Sequence, residues 1–206
     1  MLYYKTVEPK TLELLKQLMT IPEFNELNLV GGTSLALQIG HRTSIDLDLF
    51  GKIDIDEFNL TEVLSQFDSV SKIQNTKNIK SYLINNIKVD IVNFPYQFIE
   101  STLVSDNIRL ANKKDIAAMK LAAVTGRGTK KDFIDIYHLL SEFTLKEMLQ
   151  FYSNMYPDGS EFLVLKSLTY FEDAKEEVMP KLLKALKWDE VKAKITTETD
   201  RYIDSL

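Results

Sequence analysis

The chain has 206 residues, a net charge of −5 and no cysteine, and 45% of its residues are hydrophobic. The lack of cysteine excludes disulfides, thiol catalysis and cysteine-ligated zinc, and the acidic balance argues against a general binder of duplex DNA. No apolar run approaches the roughly 18 residues of a membrane span, and the amino terminus lacks the apolar segment of a signal peptide. We therefore expect a cytoplasmic protein with no membrane partner.

Apolar periodicity indicates an alternation of helices and strands over the first 110 residues. The predicted helices cover 9–20, 33–39 and 55–67, and the predicted strands cover 27–30, 44–50, 69–75, 79–84 and 87–94. Asn85 and Asn86 separate the last two strands and favour a tight hairpin turn, because Asn tolerates a positive φ.

The composition changes near residue 96, and the rest of the chain has helical patterns. Predicted helices cover 112–126, 130–142, 145–155, 159–177, 179–186 and 188–205. We predict an α+β fold in which residues 1–110 form a small mixed β-sheet with flanking helices. Residues 111–206 are expected to form a C-terminal helical region packed on that core.

A glycine-rich junction lies between the first predicted strand and the second predicted helix. It consists of Gly31, Gly32, Thr33 and Ser34. Glycine lets a backbone approach a phosphate closely, and the N–H groups at a helix start bind phosphate. Ser34 is expected to add a side-chain donor. A tight turn with Thr or Ser as the helix N-cap explains the same residues, and both interpretations can hold together.

Two aspartates alternate with apolar residues in the second predicted strand. Asp46 and Asp48 would project from one face, with Cα atoms ~7 Å apart, while Ile45, Leu47 and Leu49 enter the core. Neighbouring carboxylates repel, and a divalent cation such as Mg²⁺ offsets that repulsion. The alternative is a pair of solvated acids on an edge strand.

Asp90 is the candidate third acid. It lies in the middle of an apolar predicted strand, where an unpaired carboxylate is costly. A third acid on a neighbouring strand would bind the metal next to an attacking hydroxyl. The alternative is a solvent-facing strand residue, because Lys88 lies on the same face.

These residues resemble the DNA polymerase β-like nucleotidyltransferases, whose first motif is Gly-Gly/Ser followed by Asp-x-Asp. The closer resemblance, over about residues 25–140, is to the AbiEii/AbiGii toxin family, through GGT-S-L, HR-x-S-x-D-x-D-x-F and K-L-A…R…KD…D. It implies two Mg²⁺ ions, or Mn²⁺ in their place, on the three acids. It also implies transfer of a nucleoside monophosphate from an NTP to a hydroxyl of RNA, including tRNA, or of protein. Such an enzyme would be the toxin of a toxin–antitoxin or phage-defence pair with a cognate antitoxin.

Lys120 and Arg42 are candidate nucleotide-binding residues. Lys120 lies within an apolar helical stripe, so its ammonium should either extend to solvent or meet a negative partner. The resemblance places this lysine in the active site, where it would neutralise triphosphate charge. Arg42 precedes the second predicted strand and is expected to bind phosphate as a fork donor, with a surface arginine as the alternative.

Asp132 has two interpretations. Thr129 and Asp132 fit the Asp variant of a capping box. The K-D-x-x-D pattern of the family falls on Lys131, Asp132 and Asp135, and it implies active-site support from Asp132.

Residues 113–131 contain six basic residues and one acid, a net charge of +5. The segment indicates either a solvated face or a basic groove that favours RNA as the acceptor. His41 and His138 have no partner spacing and are not expected to bind metal. Two other functions remain open: a catalytically inactive nucleotidyltransferase-like binding module that acts through a partner, and a different phosphoryl-transfer enzyme, such as a kinase.

Overall fold

The computed structural model describes all 206 residues. The chain divides into two compact units. The first, here called the sheet unit, contains residues 1–40, 44–97 and 102–111. The second, the helical unit, contains residues 112–206 and the two short segments 41–43 and 98–101. The predicted boundary after residue 110 did not include these two segments.

The sheet unit combines three helices with one seven-stranded sheet. The helices are α1 (Pro9–Thr20), α2 (Gly31–Ile39) and α3 (Glu57–Leu64), and the strands are β1 (Asn28–Leu29), β2 (Leu47–Gly51), β3 (Val70–Asn75), β4 (Ile79–Ile84), β5 (Ile87–Asn93), β6 (Leu103–Ser105) and β7 (Ile108–Leu110). The strand order is β3-β4-β5-β2-β1-β7-β6. Parallel β2–β5 and β1–β7 pairs occur among antiparallel neighbours, so the sheet is mixed, as predicted.

Two hairpins close on two-residue turns. Asn85 and Asn86 have φ values of 49° and 64°, and Asp106 and Asn107 have 50° and 62°. Asn and Asp adopt this left-handed conformation at lower cost than most residues. The first turn confirms the prediction, whereas the β6–β7 hairpin was not predicted.

The core of the sheet unit lies on one face of the sheet, where β2 contributes Leu47 and Leu49, both at most 1% exposed. The prediction that Ile45 joins them is wrong, because Ile45 is 55% exposed. Strand β2 begins only at Leu47, so residue 45 does not follow the alternation of the strand.

The helical unit contains α4 (Lys113–Gly126), α5 (Lys130–Leu139), α6 (Leu145–Met155), α7 (Glu161–Leu168) and α8 (Trp188–Ile203). The helix predicted over 159–177 ends at Leu168, and the helix predicted over 179–186 is absent. The latter segment pairs with residues 41–43 instead: Thr43 N donates to Lys181 O at 2.9 Å, and Leu183 N donates to His41 O at 2.9 Å. These backbone bonds replace the helical ones, since each N–H needs one partner. None of the helices has the length and apolar composition needed to span a lipid bilayer.

Candidate active site

The parallel pairing of β2 and β5 brings two of the predicted acids together. Asp48 is the direct register partner of Asp90, and residues paired across neighbouring strands point to the same face of a sheet. We call Asp48 and Asp90 the acid pair. Asp46 precedes β2, and its backbone carbonyl accepts a hydrogen bond from the Thr33 hydroxyl. All three acids therefore lie at the start of β2 or in the middle of β5.

Gly31 packs directly against the Asp48 carboxylate. A Cβ at this position would lie 2.5 Å from Asp48 Oδ2, and the backbone φ of +66° is one that L side chains rarely adopt. Helix α2 starts at Gly31, and its N-cap is Val30, which makes no side-chain capping bond. The prediction of a Thr or Ser N-cap is therefore wrong. The N–H groups of the first helical turn lack intrahelical partners and begin beside a carboxylate.

The two hydroxyl residues of the glycine-rich junction are buried. Thr33 is 1% exposed and contacts Ser44 Oγ at 2.8 Å as well as the Asp46 carbonyl, so it ties α2 to the segment before β2. Ser34 is fully buried, and its Oγ accepts a hydrogen bond from Gln38 Nε2 at 3.1 Å. The predicted binding of phosphate by Gly31, Gly32, Thr33 and Ser34 remains a prediction.

Asp90 has one engaged and one orphaned oxygen. Lys88 Nζ contacts Asp90 Oδ2, whereas Asp90 Oδ1 is buried and has no hydrogen-bond partner. Carboxylate oxygens are the ligands that a hard cation prefers, so the donor chemistry of Asp48 and Asp90 fits such an ion. No group of three His, Asp or Glu side chains is arranged to hold a metal ion, however, so metal binding by Asp46, Asp48 and Asp90 remains a prediction.

A second charge cluster is buried in the helical unit and is centred on Asp135. Asp135 Oδ1 accepts hydrogen bonds from His41 Nε2 and Arg42 Nε, both at 2.7 Å, and Arg42 Nη2 donates to Oδ2 at 2.8 Å. Lys120 Nζ lies 2.7 Å from Asp135 Oδ2 and 2.8 Å from Asp132 Oδ1. None of the five side chains is more than 7% exposed. We call these residues the Asp135 network.

The charges of this network compensate one another. Burial lowers the pKa of Lys120, but the carboxylates of Asp135 and Asp132 outweigh it and raise that pKa. Burial likewise opposes ionisation of Asp135, yet Lys120 and Arg42 hold its pKa well below the ordinary value. Burial lowers the pKa of His41 despite its bond to Asp135, which favours a neutral imidazole. Two cations therefore face two anions.

A match to the model of a known protein family identifies the family of this chain. Residues 13–204 match the nucleotidyl transferase AbiEii toxin family of type IV toxin–antitoxin systems. The chain belongs to the AbiEii family. This confirms the predicted family and the predicted enzyme class, a nucleotidyltransferase.

One relative and two solved structures are also similar to this chain. An uncharacterized protein of Aquifex aeolicus (strain VF5) is 30% identical over 199 residues, which cover 94% of this chain and 96% of that protein. The crystal structure of JHP933 from Helicobacter pylori superposes with a TM-score of 0.60 at 20% identity, covering 97% of this chain and 94% of that one. MenT4, a nucleotidyltransferase toxin from Mycobacterium tuberculosis H37Rv, superposes with a TM-score of 0.58 at 17% identity, covering 91% and 80%. These likenesses confirm the predicted nucleotidyltransferase-like α+β fold.

The contacts of Arg42, Lys120 and Asp132 decide between the alternative roles that the sequence left open for each residue. Arg42 is not a surface arginine: it is 2% exposed, and its guanidinium fork binds Asp135. Lys120 meets negative partners instead of extending to solvent. Asp132 completes the capping box with Thr129 and also pairs with Lys120. The role of Lys120, Arg42 and Asp132 in nucleotide binding remains a prediction.

The basic segment 113–131 is largely neutralised. Lys113 contacts Glu142, and Lys114 Nζ lies 2.5 Å from Glu100 Oε1. Lys130 is buried and donates to the backbone carbonyl of Glu177 at 2.6 Å. The segment does not form one exposed basic groove, so the preference for RNA loses this support.

The sequence did not predict that Asp135 lies at the centre of a charge network. Its partners Arg42 and His41 lie 93 and 94 residues away in the chain. The available signal was the second acid of K-D-x-x-D, one helical turn after Asp132, together with the adjacent His-Arg pair. Nothing local indicated that these two motifs meet.

Proposed function

We propose that the sheet unit carries the catalytic centre of this AbiEii-family nucleotidyltransferase, and that Asp46, Asp48 and Asp90 hold its divalent cations. The packing of Gly31 against Asp48 carries this proposal. A positive φ and a Cβ distance of 2.5 Å together require glycine at the start of α2. This requirement keeps the first N–H groups of a helix next to a carboxylate, an arrangement suited to a metal-bound phosphate.

Different residues of the chain are proposed to bind different parts of the NTP. The N–H groups at Gly31 and Gly32 are proposed to hold the β- and γ-phosphates, helped by the hydroxyl of Ser34. When bound, two Mg²⁺ ions, or Mn²⁺ ions, compensate the charge of the acids and of the phosphate oxygens. Asp46 and Asp48 are proposed to position the α-phosphate for an in-line attack.

Asp90 is proposed to face the acceptor. Its Oδ1 is buried and has no hydrogen-bond partner, so it is suited to accept a hydrogen bond from the attacking hydroxyl. That hydroxyl gives its proton to the carboxylate of Asp90 and forms a bond to the α-phosphorus, while the bond between the α-phosphorus and the leaving pyrophosphate breaks.

The Asp135 network has two levels of support. Its contacts support a role in holding the helical unit together, because its charged groups pair with one another. A direct role of Lys120, Arg42 or Asp132 toward the triphosphate is supported by the family motif alone, and Arg42 has the least support because its fork binds Asp135.

The biological role follows from the family. We propose that the chain is the toxin of a cytoplasmic toxin–antitoxin or phage-defence pair, and that a cognate antitoxin neutralises it. The proposed acceptor is a hydroxyl of RNA, tRNA included, or of a protein.

A labelling experiment tests the reaction type. The protein is incubated with Mg²⁺, total cellular RNA or protein, and each NTP labelled at either the α- or the γ-phosphate. Acceptor labelled from α-labelled NTP supports nucleotidyl transfer. Acceptor labelled only from γ-labelled NTP indicates a kinase. Nucleotide binding without transfer of either label indicates the inactive binding module.

A further inference from the structure

Lys88 is a charged residue beside the acid pair that the proposed function does not use. It lies two residues before Asp90 on β5, so both side chains project from the same face. Its ammonium contacts Asp90 Oδ2. Lys88 is 42% exposed and Asp90 19% exposed, so the pair joins a largely buried carboxylate to a solvent-accessible lysine.

This contact differs from the ion pair of Lys72 and Glu57, which also lies in the sheet unit. The pair between Lys72 and Glu57 is about half-exposed on both sides, and Glu57 lies at the start of helix α3, outside the sheet. Asp90 faces Asp48 across the β2–β5 ladder. The ammonium of Lys88 therefore contacts one of two aspartates that are register partners across the ladder.

An ammonium and a divalent cation prefer the same kind of oxygen and repel each other at close range. The carboxylate of Asp90 is too small to hold both without repulsion. The flexible stem of Lys88 lets its ammonium move into water, whereas Asp90 lies on the strand and cannot follow.

We propose that Lys88 competes with the divalent cation for the carboxylate of Asp90, and so sets the cation concentration at which the site fills. This inference rests on the proposed function, in which Asp90 is a metal ligand. Lys88 then stabilises an otherwise unpaired buried carboxylate and is displaced as the cation binds.

The test is a calorimetric titration of the 206-residue protein with Mn²⁺ alone. Removing the competing ammonium in Lys88→Met is expected to tighten Mn²⁺ binding roughly two- to fivefold, the range expected for a partly exposed ion pair. Lys88→Gln should behave in the same way, and Lys88→Arg, which keeps the charge, should bind like the wild type. Lys77→Met removes an exposed charge in the β3–β4 turn and should leave the affinity unchanged.

The outcomes separate the two proposals. Weaker or unchanged binding in Lys88→Met, or an equal gain in Lys77→Met, overturns the competition while leaving the metal site standing. Asp90→Asn tests the site itself, since it should weaken Mn²⁺ binding. Unchanged binding in Asp90→Asn removes Asp90 from the metal site and overturns both proposals.

Discussion

The acid pair of the sheet unit and the Asp135 network of the helical unit treat charge in opposite ways. In the network, two cations face two carboxylates, and no side chain is more than 7% exposed. In the acid pair, one oxygen of Asp90 contacts Lys88 and the other has no hydrogen-bond partner. A buried carboxylate oxygen without a hydrogen-bond partner is costly, so a ligand that pairs with it is favoured, whereas the charges of the network are already paired. The acid pair is therefore the better candidate for binding a cation.

The largest expected effect on stability is at the centre of the network. Asp135→Ala leaves Arg42 and Lys120 buried without this carboxylate, and we expect a loss of roughly 3–5 kcal/mol in the free energy of unfolding, measured in urea. Lys113→Ala is the control, because it removes a partly exposed ion pair with Glu142 and should cost less than about 1 kcal/mol. Equal losses in the two variants would break the contrast between a buried network and a surface pair.

A smaller effect is expected at the glycine of the acid pair. Gly31→Ala introduces a strained φ and a contact of 2.5 Å with Asp48 Oδ2, so we expect a loss of roughly 1–3 kcal/mol together with reduced nucleotidyl transfer. Gly126→Ala is the matched control, since a Cβ at this position meets nothing within 4 Å. This substitution should stabilise the protein by about 0.4–1 kcal/mol. A Gly31→Ala protein as stable and active as the wild type would remove the main support for the acid pair.

The smallest expected effect is a dependence of stability on pH, caused by two histidines of the helical unit. Burial lowers the pKa of His138 to about 4 and also lowers that of its ring neighbour His41. The unfolded chain, with ordinary histidine pKa values near 6.5, binds protons first as the pH falls. Stability should therefore be complete above about pH 6.5 and decline toward pH 4, as measured by thermal unfolding.

His138→Gln should make that decline shallower, because one of the two titrating groups is gone. A melting temperature that does not change between pH 7 and pH 5, or a slope that the substitution leaves intact, would contradict the assignment of neutral histidines in the folded chain.

Local patterns allowed part of both regions to be predicted. The alternation around Asp48 and Asp90, the turn at Asn85-Asn86 and the capping box from Thr129 to Asp132 each depend on residues at most three positions apart. Spacing alone predicts such features, because backbone geometry fixes which neighbouring side chains share a face.

Long-range pairing explains most of the errors. Two partners of Asp135, His41 and Arg42, lie more than 90 residues away in the chain. The segment 179–186 has leucines at helical spacing but pairs its backbone with residues 41–43. The basic segment 113–131 met acids such as Glu142 that sequence spacing does not bring near it. In each case a tertiary contact overrode the local preference.

Transfer of an α-labelled nucleotide by Asp48→Asn is the most direct test of the claim that the acid pair is the catalytic centre. The account predicts that this variant stays folded and loses transfer by about a hundredfold or more. Asp54→Asn, an exposed acid six residues later, should transfer like the wild type. Undiminished transfer by folded Asp48→Asn would contradict the claim.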